Sequence, residues 1–340
     1  MTNNPYIYEI NHIEMKFRTI LLAASALLLA ACGTEPATED YASFVNPKIG
    51  TGGHGHVFVG ANVPFGFVQL GPTSIPQEWD WCSGYHDSDR TVIGFSHTHL
   101  SGTGIGDLFD ITVMPTTGPT TPGRGTEGHP EIGAWSYADR TKEVTEPGYY
   151  SVMLERYGIK AEMTATARVG MHRYTFPATE TANLVFDLEN GGCWDSVYDS
   201  GFEVMKDENG RVKALGGYRY STGWARNQRI FFWAEFSRPC EEFSIVENPA
   251  NLNPRRKPVY GYYGMGKVEE GTQVLVKVAL SPVSVEGAKA NMAAELPGWD
   301  FEAVKADARK AWNEELGRVA ITCQDVDTKT VFYTALYHTM

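Results

Sequence analysis

Basic side chains are scarce in this chain: 29 Lys and Arg stand against 41 Asp and Glu over 340 residues, a formal charge of -12. The densest basic block is Arg255-Arg256-Lys257. Without a broad Lys/Arg surface there is no counterion release to drive association, which excludes nucleic acid as a main partner. Cysteine is also rare. There are 5, none in a CxxC or Cys/His array, so structural zinc is not expected. No apolar run approaches the roughly 20 residues that a membrane-crossing helix needs. What is present is a 42% hydrophobic composition with 8 Trp, 17 Tyr, 16 Phe, 35 Gly and 18 Pro. That excludes a disordered chain, allows roughly two domains of about 150 residues, and points to a loop-rich β protein with ring-lined surfaces.

Residues Ile20 to Ala31 form a short apolar run, broken only by Ser25 and preceded by Lys16 and Arg18. It reads as the apolar region of a secretory signal peptide. It ends in Leu29-Ala30-Ala31-Cys32, which resembles a bacterial lipobox, where the cysteine is lipidated and becomes the new N-terminus. Residues 1–31 are therefore expected to be a leader, with Met15 as its true start, and 32–40, small, polar and acidic, a flexible tether. The expected location is exported and lipid-anchored to a bacterial membrane, periplasmic or at the cell surface. The plainer alternative is a cleaved signal followed by an ordinary thiol. Cys82, Cys193, Cys240 and Cys323 remain, with spacing that leaves any disulfide pairing open.

From Tyr41 the chain returns repeatedly to short β-type runs punctuated by Gly, Pro or Asn/Asp. Tyr149 to Leu154, Ile159 to Val169, His172 to Phe176, Leu184 to Leu188, Ile230 to Phe236 and Val274 to Leu280 read as strands, with Tyr157-Gly158 as a hairpin turn. Residues 41–283 are thus expected to form a large antiparallel β-sandwich, making the chain mainly β. The pattern then becomes helical. Phe301, Val304, Ala308, Ala311, Trp312 and Leu316 recur behind the N-cap Asp300, and 284–318 reads as a helical linker. Asp325 or Asp327 caps a further helix whose Tyr333, Leu336, Tyr337 and Met340 share a face. With no partner following to bury that face, 319–340 reads as the opening of a helical domain that is cut off.

Two His-x-His pairs stand out. His54 and His56 lie in the glycine loop Asn46 to His56, which is not a nucleotide loop because no helix pattern follows it. His97 and His99 lie in Gly94 to Gly104. On a strand, alternate residues share a face, so each pair could present two imidazoles to one metal, with Asp107 or Asp110 completing the set. That arrangement would suit a metal hydrolase. Between the pairs lies Glu78-Trp79-Asp80-Trp81-Cys82-Ser83-Gly84-Tyr85-His86. Its mixture of rings and short polar groups suits a sugar, whose C–H patches stack on aromatic planes while its hydroxyls bond nearby donors and acceptors. The competing reading is a tryptophan cluster in the sandwich core, since two tryptophans two apart share a strand face.

Asn46 to Pro72 (NPKIGTGGHGHVFVGANVPFGFVQLGP), Trp81 to His86 (WCSGYH), Gly94 to Gly104 (GFSHTHLSGTG) and Phe332 to Thr339 (FYTALYHT) together resemble the glycoside hydrolase family 92 α-mannosidases. The likeness spans the chain from the glycine loop to its end, with Val57 and Val59 where the family usually has Thr and Pro. It implies an N-terminal β-sandwich, a helical linker and a C-terminal (α/α)6 barrel, with the pocket between sandwich and barrel. It also implies an exo-acting, calcium-dependent, inverting α-mannosidase acting on mannose-containing glycans. Inversion needs an acid and a base carboxyl roughly 6.5 to 9.5 Å apart. The resemblance assigns both, and most calcium ligands, to the barrel beyond Met340, so Asp80, Glu189 and Asp195 are not promoted to catalysts and residues 41–340 alone are expected to be inactive. On the sandwich side, Trp81 is the first candidate to contact substrate, with Gly53, His54, His56 and His86 behind it. The alternatives are a non-catalytic carbohydrate-binding surface lipoprotein and the His-x-His metal hydrolase.

Overall fold

The computed structural model describes residues 39–121, 123–129, 131–191, 193–240, 242–247 and 259–340. The leader, Cys32, most of the tether and the Arg255-Arg256-Lys257 block lie outside these residues. From Tyr41 onward the chain is a two-sheet antiparallel sandwich followed by three helices. The smaller sheet has the order β1-β3-β4-β9-β14-β13, from Gly71–Thr73, Gly94–Ser96, Thr112–Thr117, Thr179–Asp187, Val259–Val268 and Glu242–Glu247. The larger has the order β10-β11-β12-β15-β8-β7-β6-β5-β2. Its strands are Ser196–Lys206, Val212–Thr222, Gln228–Cys240, Thr272–Ser281, Val169–Phe176, Ile159–Ala165, Tyr149–Leu154, Ser136–Glu146 and Thr91–Val92.

Strand alternation makes this sheet bury both faces. On β12, Ile230, Phe232 and Ala234 join the core between the sheets, with Phe95, Tyr174, Phe186 and Val276. Trp233, between them, turns to the opposite face and packs with Met171 and Ala279. Helix α1, Val285–Glu295, covers that outer face with Val285, Ala288 and Met292. Its cap is Ser284, whose hydroxyl accepts from Gly287 N. The Gly158 turn has φ +64, as its hairpin requires. Ile159 to Val169 is not one strand but two, because Thr166 N closes onto Val169 O and reverses the chain into β8.

Helix α2, Phe301–Leu316, is capped by Asp300, which accepts from Ala303 N. Helix α3, Val326–Tyr337, is capped by Asp325 rather than Asp327. Each such cap is worth about 1 kcal/mol. Trp312 and Leu316 pack with Tyr333 and Tyr337 against Ala42 and Val45 of the first turn. The α3 face is therefore largely covered, correcting the expected bare stripe: Tyr333 is 0% and Tyr337 5% exposed. Two hydrogen bonds to Asn62 fix the packing, from Trp312 Nε1 to its carbonyl (2.8 Å) and from the Tyr337 hydroxyl to its Oδ1 (3.1 Å). The four described cysteines are free thiols.

Candidate functional site

The glycine loop Asn46 to His56 is a string of tight turns: Ile49 N bonds Asn46 O, Thr51 N bonds Lys48 O and Gly55 N bonds Gly52 O. Gly55 is obligatory, since a Cβ there would fall 1.9 Å from Gly50 O. The loop is anchored at both flanks. Asn46 N donates to Thr334 Oγ1 (2.9 Å) and His338 Nε2 to Ile49 O (3.1 Å), tying it to α3. Lys48 Nζ reaches Glu143 on β5 (2.6 Å), a carboxylate that also accepts from Tyr85, Tyr150 and Arg140. Burial pushes the Glu143 carboxyl up, but Arg140, Lys48 and Tyr150 outweigh it and leave it below the ordinary value. A buried anion paired on all sides holds its partners rigidly, and here it fixes the loop to the sheet.

At the loop's tip the polar groups converge. His54 Nδ1 lies 2.7 Å and His56 Nε2 3.1 Å from the same oxygen, Asp80 Oδ1. Hydrogen bonding by His54 is the main cause holding Asp80 below the ordinary carboxylate range, so it is an anion at neutral pH. Trp79 sets its face toward this group, at 4.3 Å and edge-on to His56, and donates Nε1–H to Gly104 O. On the other flank Trp81 stacks on His86, with centroids 4.4 Å apart at 19°, and donates Nε1–H to the buried Asp89 (2.6 Å). His86 Nε2 reaches back to Gly53 O (3.3 Å).

The structure thus gathers Gly53, His54, His56, Asp80, Trp81 and His86 in one place. It corrects the tryptophan geometry. Residues 79–81 form a turn of 3-10 helix, where positions two apart point about 240° from one another, not a strand with a shared face. Trp79, 49% exposed and in contact with both histidines, was the residue the sequence did not single out. The Gly, Asp and Pro around the two tryptophans favour a loop over the competing core strand, and the turn agrees with that.

The second histidine pair forms no metal site. His97 Nδ1 donates to Ile111 O (2.5 Å) and its Nε2 meets His172 Nε2 (3.0 Å), while His99 bonds Gln69 O and Thr73 Oγ1. Burial lowers both His97 and His99 to about 4. Asp110 is engaged by Arg219 (2.6 Å), Thr98 and Gln228, and Asp107 accepts from Ala225 N. Backbone acceptors and buried partners have claimed both histidines and Asp110, and Asp107 is held through Oδ2 by Ala225 N, so the four do not converge on one ion.

Past Thr98 and His99, a cavity of about 670 Å³ opens between Gln69, Leu100, Leu108, Asn227 and Gln228. Among the described residues, one group of His, Cys, Asp and Glu atoms is close enough to share an ion: His54, His56 and Asp80. Two nitrogens and one oxygen do not fit calcium, which takes six to eight oxygens. They suit an N/O-binding divalent metal.

Residues 44–281 match the glycosyl hydrolase family 92 N-terminal domain, and residues 287–340 match the family 92 catalytic domain. The chain belongs to glycosyl hydrolase family 92. A family GH92 α-mannosidase from Bacteroides thetaiotaomicron, solved in complex with mannoimidazole, is similar to this family 92 chain at 35% identity and a TM-score of 0.80, over 88% of this chain and 40% of that one. A GH92 inverting mannosidase from Bacteroides thetaiotaomicron VPI-5482 shares the fold at 24% identity, with a TM-score of 0.73 over 90% of this chain and 40% of that one. A protein described as an uncharacterized secreted glycosidase of Arthroderma benhamiae is 28% identical over 327 residues, 88% of this chain and 41% of its own length. The chain spans about two-fifths of the length of the relatives it matches.

Proposed function

We propose that this chain forms the sandwich side of the sugar pocket of an exported, exo-acting α-mannosidase that removes terminal α-linked mannose from glycans with inversion. The observation that carries the reading is the pairing of tryptophan planes at Trp79 and Trp81 with the His54, His56 and Asp80 group, in a family 92 chain. Likeness to a mannosidase that binds mannoimidazole supports the choice of sugar. Trp81 is proposed to stack on the sugar next to the scissile bond, Gly53, His54 and His56 to bond its hydroxyls, and His86 to hold the loop through Gly53. A secreted relative and the leader at Ile20 to Ala31 support export; a lipid anchor at Cys32 is proposed with it.

The carboxyl pair for inversion is proposed to come from the remaining length that the relatives have. Asp80 is already ionised and shared by two imidazoles, and Asp110 and Asp195 are both tied to Arg219. All three carboxylates are thus engaged by partners within this chain. Calcium dependence is proposed for the whole protein, with the ion held by oxygen ligands outside the His54, His56 and Asp80 group. That group favours a second reading, an N/O-bound divalent metal serving a hydrolase. Assaying the full-length protein on an aryl α-mannoside separates the readings. Release of β-mannose, lost on chelation and restored by calcium, supports the first. Stoichiometric zinc abolished by His54→Ala supports the second, and glycan binding with no hydrolysis leaves a binding lipoprotein.

A further inference from the structure

Two tryptophans from separate segments stand on one short stretch of chain, Gly104 to Gly106, and a third, Trp224, lies in the segment that packs on the residue after it, Asp107. Trp79 lies on Gly104, where a Cβ would come within 2.6 Å of the indole. Trp194 covers Gly106: its backbone N donates to Gly106 O (3.0 Å), and a Cβ at 106 would come within 2.5 Å of its ring. Trp224 follows Gly223, which packs on the Asp107 carboxylate where Ala225 N also bonds (3.0 Å). Glycine at 104 and 106 lets two of the rings lie flush on the backbone. All three tryptophans are exposed, at 49%, 50% and 70%. Four residues span at most about 10 Å, so the three tryptophan-bearing segments meet along one short strip, here called the ridge.

The ridge starts at the candidate site, where Trp79 meets His54 and His56, and leads away from it. The same loop walls the 670 Å³ cavity through Leu100 and Leu108, and the amides of Gln69, Asn227 and Gln228 line its other walls. Under the ridge, Asp107 is 3% exposed, and its Oδ1 has no hydrogen-bond partner among the described residues. A buried carboxylate oxygen without a donor is costly unless a bound molecule supplies one. Indoles seated on backbone with one face open, beside amides and an acceptor, match a pyranose, which is apolar on its C–H face and donates at its rim.

We propose that Trp194 and Trp224 carry a distal glycan subsite, which holds the sugars of an oligomannoside beyond the pair joined by the scissile bond. This rests on the α-mannosidase reading above. It makes the enzyme selective for long or branched mannosides over disaccharides, and the selectivity is expressed in KM rather than kcat.

The test uses the full-length protein with Trp194→Ala, Trp224→Ala and the double variant, assayed on an aryl α-mannoside and on a branched oligomannose glycan. Each single variant is expected to lose about tenfold in kcat/KM on the glycan, through KM, and several times less on the aryl mannoside. Trp194→Phe, which keeps a ring, should recover most of the loss. Equal losses on both substrates, losses in kcat alone, or indoles shielded from acrylamide quenching in the whole protein would overturn the proposal. Should the wild type hydrolyse neither substrate, the α-mannosidase reading fails by itself, and calorimetric titration with the glycan decides the subsite. Binding that the double variant loses supports the ridge, and no binding by the wild type removes it.

Discussion

Two stretches of this chain are spelled alike and fold into opposite environments. His54-Gly55-His56 and His97-Thr98-His99 are both His-x-His. The first sits on a glycine loop, His54 exposed and His56 buried, with both imidazoles turned to one ionised carboxylate. The second continues β3 into the space between the sheets, where His97 is 0% and His99 4% exposed. There the hydrogen bonds run in an ordered series. His97 Nδ1 donates to Ile111 O, so its Nε2 accepts from His172 Nε2, and His172 Nδ1 accepts from the Tyr174 hydroxyl (2.7 Å). Every nitrogen has a fixed role and both rings are neutral. The residue type is the same in both places, and the surrounding acceptor, carboxylate or carbonyl, decides whether it can serve a ligand or only the fold.

Acid is expected to separate the two pairs most strongly. His97 and His99 titrate at about 4 in the fold because burial disfavours their charged forms, against 6.5 for the ordinary side chain. Between those values the unfolded chain binds protons that the fold does not, so this stability is complete above pH 6.5 and is lost as pH falls toward 4. Across the whole window each imidazole accounts for about 3 kcal/mol. Asp187 and Asp195, raised by burial, act in the opposite sense, and Glu143 and Glu162, held low by their partners, add to acid loss only below about 4.5. Urea midpoints should therefore fall steadily between pH 6.5 and 5. A flat midpoint over that range would mean the buried pair does not behave as a neutral pair.

The next effect is a break in the buried series itself at neutral pH. His172→Leu removes the donor to His97 and the acceptor for Tyr174, leaving two buried polar groups unmet at about 1–3 kcal/mol each. Its melting temperature should drop by several degrees, while catalysis below the melt stays near that of the wild type. An unchanged melt would show that water replaces the ring.

How much of this was legible beforehand varied with the range of the interactions. Asp300 with the spacing of Phe301, Val304, Ala308, Trp312 and Leu316 announced α2, and Tyr333, Leu336 and Tyr337 announced α3 with its cap open between Asp325 and Asp327, because caps and periodicity are local. Helix α1 was covered only as part of a linker: its buried face consists of Val285, Ala288 and Met292, too small and sparse to announce a period. Individual strands could be read, but not that β9 pairs with both β4 and β14, since such partners are distant in sequence. The glycine loop and the WCSGYH segment named the candidate site. Asp80 as the shared acceptor, and Trp79 rather than Trp81 against the histidines, depended on a turn that no single residue encodes.

Trp81 sharpens the contrast from the site's side, being half-buried with its N–H on Asp89 and its face on His86. In the full-length protein, Trp81→Ala is expected to cut efficiency on a mannose disaccharide by up to about a hundredfold and on an aryl mannoside by less. A core role would instead cost about 3 to 5 kcal/mol and depress both substrates together with the melt. Measuring the two substrates and the melt on one variant decides which role dominates.

The smallest stability effect belongs to the exposed member of the loop pair. His54 has 77% of its side chain exposed, and its hydrogen bond to Asp80 lies in solvent, where it adds little to stability. His54→Ala should therefore leave the melting temperature within about two degrees of wild type, in contrast to His172→Leu. The Asp80 carboxyl should respond instead, because the hydrogen bond from His54 is the main cause of its low titration; removing it leaves only His56 and lets the value rise toward 3.8. Following the Asp80 carboxyl carbon by NMR across acid pH reads this directly. A rise in Asp80 with an unchanged melt would place His54 in the site and outside the fold's stability. A fall of several degrees in the melt with Asp80 unmoved would mean that the two His-x-His pairs, despite their surroundings, serve the same structural purpose.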